Sequence, residues 1–235
     1  MLEKTYKKIG IVAVTSEGAA LCYKNIVSES MKRTGKNIHP EISLHNVSFS
    51  EYYQAVVNDD YQEVENILLY SIKKLQLIGA DFAIIPANTI HCVFKEVQKR
   101  SPIPLVSILE TTSKECQRQN YKKVCVLGTI FTMQGKLYAE SFEKYGIDLI
   151  TPSIEEQEII NSIIMDELIP GKFNKKSIEN VISIINRVKS TRCDAVALAC
   201  TELPIIINDN NSPLPILDTT NLLSLAALDF AINNN

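Results

Sequence analysis

Ala197-Leu198-Ala199-Cys200-Thr201-Glu202-Leu203 is the stretch on which the reading of this chain turns. An apolar run from Val196 to Ala199 ends in a cysteine, a threonine and a glutamate, with Pro204 just beyond. Such a run reads as a buried parallel strand, and open α/β sheets place their ligands at the carboxyl ends of the strands. Cys200 is therefore expected at a strand tip. A second run, Ala83-Ile84-Ile85-Pro86-Ala87-Asn88-Thr89-Ile90-His91, has the same shape. Asp81 and Asp194 stand 113 residues apart, and so do Ala87 and Cys200. The two runs read as two walls of one site, and only one wall carries a thiol.

Outward from these runs, strand and helix patterns alternate. Strands are expected at Lys8–Val14, His39–Phe49, Phe82–Pro86 and Pro104–Ile108, with helices at Ala19–Glu29, Asp60–Ile78, His91–Arg100 and Thr111–Gln119. Alternation of this kind implies parallel sheets with right-handed crossovers. The order then repeats. Tyr121-Lys122-Lys123-Val124 echoes Tyr6-Lys7-Lys8-Ile9 at an offset of 115, and Pro213-Leu214-Pro215 answers Pro102-Ile103-Pro104 at 111. Matched segments in one order argue for an internal duplication. The expected fold is thus α/β, two pseudo-symmetric Rossmann-like domains, each a mostly parallel sheet flanked by helices, with the active site in the cleft between them. The expected boundaries are residues 1–109 plus 215–235 for the first domain and 110–214 for the second. Neither half has a G-x-G-x-x-G or a Walker lysine, so nucleotide binding is unsupported.

Composition narrows the function classes. The 235 residues are 46% hydrophobic and 22% charged, with a net charge of −3 and no basic run. That balance argues against a nucleic-acid or anionic-membrane surface. Met1-Leu2-Glu3-Lys4 leads straight into a strand-like segment, with no apolar region of the kind a secretory signal needs, and the chain reads as cytoplasmic. The six cysteines include no Cys-x-x-Cys pair, and His39, His45 and His91 form no ligand pattern with them, so no metal is expected.

The strand tips suggest chemistry. A cysteine at a tip beside a helix N-terminus has its thiolate favoured by the local dipole, and a thiolate serves as nucleophile or base. Proton removal beside a carboxylate generates an enediolate-like dianion, which needs aimed hydrogen-bond donors. Thr15, Ser16, Asn88, Thr89, Thr129 and Thr201 are candidates, although helix capping is an ordinary role for each.

Gly10-Ile11-Val12 with Glu17-Gly18-Ala19, then Pro86-Ala87-Asn88-Thr89-Ile90-His91 and Ala199-Cys200-Thr201-Glu202, together resemble the aspartate/glutamate racemase superfamily, from Lys8 to Thr220. The resemblance implies a cofactor-independent amino acid racemase, a homodimer, that moves a proton at the α-carbon of a small carboxylate. It makes Cys200 the catalytic acid/base, and it sets Thr15, Ser16, Asn88, Thr89, Thr129, Lys172, Thr201 and Glu202 around the substrate. Ala87 stands where the family pattern is Cys-Asn-Thr-x-His, so the second thiol of a two-base mechanism is absent. His91, Cys92, Thr15 or water are the alternatives for the other acid. A one-base decarboxylase or isomerase and a catalytically silent ligand-binding protein remain open. Ser48-Phe49-Ser50-Glu51 also lacks the arginine with which acidic-substrate members hold a second carboxylate.

Overall fold

The computed structural model describes residues 6–134 and 136–233, so Met1 to Lys4 lie outside the described residues. The chain divides into two compact units, one running to Ile108 and resuming at Thr220, the other spanning Leu109–Thr219.

The first unit is built from β1 (Ile9–Ala13), α1 (Ser16–Thr34), β2 (Ile42–Asn46), α2 (Phe49–Val57), α3 (Tyr61–Leu77), β3 (Phe82–Ile84), a 3-10 turn (Thr89–Val93), α4 (Phe94–Arg100) and β4 (Leu105–Val106). Its sheet runs β2-β1-β3-β4, all parallel, with Ile9 opposite both Ile42 and Phe82. The C-terminal helix α11 (Thr219–Ile232) completes it. Lys7 N–H donates to the Ala231 carbonyl at 3.0 Å, and the rings of Phe82 and Phe230 lie 4.6 Å apart.

The second unit holds α5 (Ile108–Arg118), β5 (Lys123–Gly128), α6 (Ile130–Gln134), α7 (Leu137–Glu143), β6 (Asp148–Ile150), α8 (Ile154–Ser162), a π-helical turn (Ile163–Leu168), α9 (Lys175–Ser190), β7 (Ala195–Ala199), α10 (Leu203–Ile206) and β8 (Ile216–Asp218). Its sheet runs β6-β5-β7-β8, again all parallel. Because β8 pairs with β7 through Val196 and Ile216, it stays with this unit. The return to the first unit therefore comes at Thr219/Thr220, later than the 214/215 boundary expected from sequence.

The duplication is visible at the level of single hydrogen bonds. Asp81 Oδ2 accepts from Lys8 N–H at 2.6 Å, while Asp194 Oδ2 accepts from Lys122 and Lys123 at 2.7 and 2.9 Å. Each aspartate thereby pins the start of the strand that leads its own half. Ser101 and Ser212 each donate to the carbonyl two residues on, at 2.6 Å, ahead of β4 and β8 respectively. The Pro104 and Pro215 carbonyls accept from Ala83 and Val196, both at 2.9 Å.

Each half has its own apolar core. In the first, Val12, Val64, Leu68, Ile72, Leu75 and Ala83 are buried; in the second, Leu127, Val181, Ile185, Val188 and Val196 are. Burying each large aliphatic side chain stabilises by roughly 1.5–3 kcal/mol.

Several local readings change: β3 and β4 are shorter than expected, and α5 opens at Ile108, ahead of Thr111. α1 starts earlier and ends later than Ala19–Glu29, because Thr15 Oγ1 accepts from Gly18 N–H at one end and Gly35 takes the left-handed φ of 65° at the other. The strand expected over His39–Phe49 shortens to Ile42–Asn46, and Phe49 opens α2, whose Tyr52 and Ala55 turn into the core at a helical spacing. Among the described residues, no helix is long and apolar enough to cross a membrane.

Candidate functional site

β7 is a five-residue strand, Ala-Val-Ala-Leu-Ala, buried along its whole length between β5 and β8. With no polar residue before its end, the strand delivers Cys200 directly at its carboxyl tip. Cys200 is 9% exposed and lies at the margin of the second unit's apolar core. Its Sγ donates to Glu202 Oε2 at 2.8 Å, and Thr201 Oγ1 donates to the same oxygen at 2.7 Å. Glu202 is itself buried, at 7%. Leu203 and Pro204 then start α10.

Burial pushes the Cys200 thiol well above its usual range, and the neighbouring Glu202 carboxylate raises it further. The expected dipole-favoured thiolate is therefore not the resting state. The physical reason is direct: α10 has only four residues, and the stabilisation that its terminus offers is outweighed by an apolar surround and an adjacent anion. The thiol rests protonated.

The neighbouring tip belongs to β5, whose Gly128 lies opposite Ala199. A Cβ on Gly128 would fall 2.8 Å from the Ala199 carbonyl oxygen, which explains the glycine there. Thr129 follows, half-buried, its carbonyl accepting from Thr132 and Met133 at 2.9 and 3.0 Å as α6 begins. Its hydroxyl lies 3.3 Å from that of Thr132. Lys172 occupies an exposed loop between the π-helical turn and α9, and its N–H donates to the Glu167 carbonyl at 2.7 Å. The structure thus brings Cys200, Thr201 and Glu202 together, sets Thr129 on the adjoining strand end, and leaves Lys172 on the loop beyond.

In the first unit the β1 tip supplies Thr15, whose hydroxyl caps α1, and the exposed Ser16. Beyond β3, Ala87 is half-buried and packs against that unit's core, Asn88 is buried and Thr89 half-buried. His91 takes a role that the sequence did not disclose. It is 4% exposed, its Nδ1 lies 2.8 Å from the Ala87 carbonyl and its Nε2 accepts from Ile108 N–H at 3.2 Å. The ring also stacks on Phe94 at 4.7 Å. An imidazole that donates from Nδ1 and accepts at Nε2 is neutral. Burial lowers its pKa to about 4. His91 is thus a strut between the β3 tip and Ile108 within the first unit, with both nitrogens engaged, and is removed from the candidate acids.

The profile of the Asp/Glu/hydantoin racemase family matches residues 9–227. The chain belongs to that family. It is 27% identical over 165 residues to the broad specificity amino-acid racemase RacX of Bacillus subtilis, a match covering 70% of this chain and 71% of RacX. Among solved structures, it resembles PH1733, an aspartate racemase homologue from Pyrococcus horikoshii, at a TM-score of 0.85 and 30% identity, covering 96% of this chain and 99% of that one. A Yersinia pestis protein related to Asp/Glu racemases superposes at a TM-score of 0.91 with 27% identity, covering 97% of this chain and all of the other. The two four-stranded parallel sheets flanked by helices are the architecture of these racemase structures.

Within this racemase-family chain, the second unit holds a buried thiol and a buried carboxylate in direct contact. Among the described residues no group of three or more His, Cys, Asp or Glu is placed to hold a metal ion. The Cys200–Glu202 contact was not drawn from the sequence, although Cys-Thr-Glu ahead of a proline was its signal: the chain turns at the strand end, and residues two apart face each other across the turn.

Proposed function

We propose that this member of the racemase family catalyses cofactor-independent proton transfer at the α-carbon of an amino acid, with Cys200 as the acid/base. The observation that supports this is the thiol at the tip of β7, hydrogen-bonded to a buried carboxylate at 2.8 Å. An apolar surround strengthens each electrostatic contact made to a developing enediolate, and hydroxyl and amide donors at strand tips are the groups that meet such a charge. In this reading the substrate carboxylate is held from the set Thr15, Ser16, Asn88, Thr89, Thr129, Thr201 and Lys172, with Glu202 beside it. A cytoplasmic homodimer belongs to the same reading, and sedimentation velocity tests the dimer.

Ala87 favours a second reading. It occupies the place in the first repeat that Cys200 holds in the second, and a methyl group has no proton to exchange. One thiol working on one face supports α-hydrogen exchange, or reprotonation after loss of a carboxylate, without efficient inversion. The test is proton NMR of D- and L-amino acids, and of a substituted malonate, incubated with the protein in deuterated water. Racemisation shows as exchange with loss of optical activity, and one-base chemistry as exchange with retention. Cys200→Ser is expected to lower either rate at least about 100-fold, the scale of losing a positioned acid/base. Ala87→Cys, which installs a thiol at the repeat-equivalent position, is expected to raise inversion relative to exchange. If the wild type exchanges no substrate, or Cys200→Ser proceeds unimpaired, the proposal fails.

A further inference from the structure

Between the π-helical turn and α9 the chain makes an excursion that one side-chain contact closes. Leu168 and Ser177 are buried, and every residue from Ile169 to Lys176 between them is exposed. Glu167 stands at the head of this loop and Ser177 at its foot. Ser177 Oγ donates to Glu167 Oε1 at 2.8 Å, and the Lys172 N–H, midway along the loop, donates to the Glu167 carbonyl at 2.7 Å. We propose that Glu167 and Ser177 form a clasp that holds Lys172 at the Cys200 strand end, both of them positioning residues that act on the substrate through Lys172. The inference rests on the reading that a substrate carboxylate is held beside Cys200, and deepens it by naming what sets the cation in place.

The loop springs from the neighbourhood of the thiol. Ile163, Ile164 and Leu168 of the π-helical turn belong to the apolar cluster that contains Cys200, Leu203 and Ile206. At the end of α8, Asn161 Oδ1 accepts from Ile130 N–H at 2.9 Å, which ties the same helical segment to the end of β5. Charge then singles out Lys172. The four residues that follow each of β5, β6, β7 and β8 include no lysine or arginine, and the β7 end carries Glu202. From Tyr145 to Asn174, Lys172 is the sole basic residue. A substrate carboxylate at this tip meets hydroxyls at the strand ends, and the cation that the loop brings to it is Lys172.

A lysine on an exposed loop binds weakly when the loop must be ordered at the same moment, since fixing each backbone residue costs roughly 1–2 kcal/mol. Tying the two ends of the loop together beforehand removes part of that cost from binding. The turn ahead of Lys172 is set in the same way: Gly171 takes a left-handed φ of 75°, and its N–H donates to the Leu168 carbonyl at 3.0 Å. Two local irregularities meet at the clasp. The π-helical turn is a form that recurs at functional sites. Glu167 Oε2 is buried and has no hydrogen-bond partner among the described residues. A buried polar atom left so costs roughly 1–3 kcal/mol, and stability alone does not account for a glutamate at this place.

Ser177→Ala and Glu167→Ala open the clasp, while Glu167→Gln keeps an oxygen to accept from Ser177; circular dichroism checks that each variant is folded. Chymotryptic cleavage of the full chain after Phe173, which is 60% exposed within the loop, is followed by mass spectrometry. Both alanine variants should be cut about tenfold faster than wild type, the scale of one lost hydrogen bond, with Glu167→Gln near the wild-type rate. Exchange of the α-hydrogen in deuterated water is measured against concentration for the D- or L-amino acid that wild type exchanges fastest. Ser177→Ala should raise KM about tenfold and leave kcat within about twofold, the signature of lost binding and not of lost chemistry. Lys172→Ala should raise KM likewise, and adding Ser177→Ala to it should raise KM no further, because the clasp acts through the lysine. A clasp that merely shapes the fold would give additive effects. Unchanged cleavage in both alanine variants overturns the inference, as does faster cleavage with an unchanged KM, and as does additivity in the double variant. Absence of exchange by the wild type sinks the functional reading and with it the role of Lys172, whereas the cleavage rates still decide whether Glu167 and Ser177 hold the loop.

Discussion

His91 and Cys200 are both buried, and burial disfavours the charged form of each, the imidazolium in one case and the thiolate in the other. For Cys200 the consequence is that, under the proposed function, the protonated thiol has to shed a proton before it acts as a base. For His91 the consequence is a dependence of stability on pH. Its folded pKa of about 4 lies below the unfolded value near 6.5, so above pH 6.5 both states are neutral there and the full stability is present. As pH falls from 6.5 towards 4, the unfolded chain binds a proton that the folded one refuses, and stability is lost. Below 4 the loss levels off, having reached on the order of 3 kcal/mol. His91→Asn is expected to be less stable at neutral pH by about 1–3 kcal/mol, because Ile108 N–H loses its acceptor, and to lack this slope. Urea denaturation between roughly pH 7.5 and 5, ahead of most carboxylate titration, distinguishes them. Parallel curves for the two proteins would show that His91 is not the titrating strut. The residue scale is also where sequence reading was weakest. Asn-Thr-x-His beyond a strand suggested an available imidazole, but only the fold reveals that Ile108, seventeen residues on, presents an N–H to Nε2.

Strands β1 and β5, each central in its sheet, contain glycines whose reasons differ. A methyl on Gly10 would sit 3.2 Å from the Ala80 Cβ, the Leu75 Cδ1 and the Phe82 carbonyl oxygen, contacts that a small shift of the Leu75 side chain relieves only in part. A methyl on Gly128 would meet the Ala199 carbonyl oxygen at 2.8 Å, and that carbonyl belongs to the residue immediately before Cys200. Backbone cannot rotate away as a side-chain terminus can. Gly128→Ala is therefore expected to cost about 1–3 kcal/mol, with strand β7 displaced at its tip. Its effect on α-hydrogen exchange should exceed that of Gly10→Ala, even if the two lose equal stability. Thermal unfolding and deuterium exchange on both variants test this, and equal exchange rates would remove the argument that Gly128 sets the thiol's position. At this scale the sequence was most legible. Buried parallel strands announce themselves as unbroken apolar runs, and β7 contains the whole of the run Val196–Ala199. What escaped was the end of β2, where Val47 and Phe49 continue an apolar alternation although Tyr52 and Ala55 impose a helical one. Short apolar stretches do not separate the two periods until tertiary packing selects one.

Across the whole molecule, the repeated hydrogen bonds of Asp81 and Asp194, and of Ser101 and Ser212, show one supersecondary plan used twice. The two copies are not equally continuous in the chain. Leu109–Thr219 is a single segment that contains all four strands of its sheet and its own apolar core, and it closes on itself through Thr219 Oγ1 donating to the Leu198 carbonyl at 3.1 Å. The other unit draws α11 from the far end of the sequence. That helix supplies the Ala231 carbonyl to Lys7, Asp229 to Arg33 and the Phe230 ring to Phe82, and Ser224 donates to the buried Cys22 Sγ at 3.2 Å. Without it, Phe82 and Cys22, both fully buried in the native chain, lose those partners, and uncovering each large apolar side chain costs roughly 1.5–3 kcal/mol. A domain of this size holds only about 5–15 kcal/mol in total. Residues 109–219 expressed alone are therefore expected to fold, with a cooperative urea transition and an α/β circular dichroism spectrum, whereas residues 1–108 alone are expected to remain open to protease. Adding a peptide of residues 219–235 to the latter should restore protection. Cooperative folding of residues 1–108 without the peptide would mean that α11 is an accessory to the first unit; failure of 109–219 to fold would mean that its core does not suffice by itself.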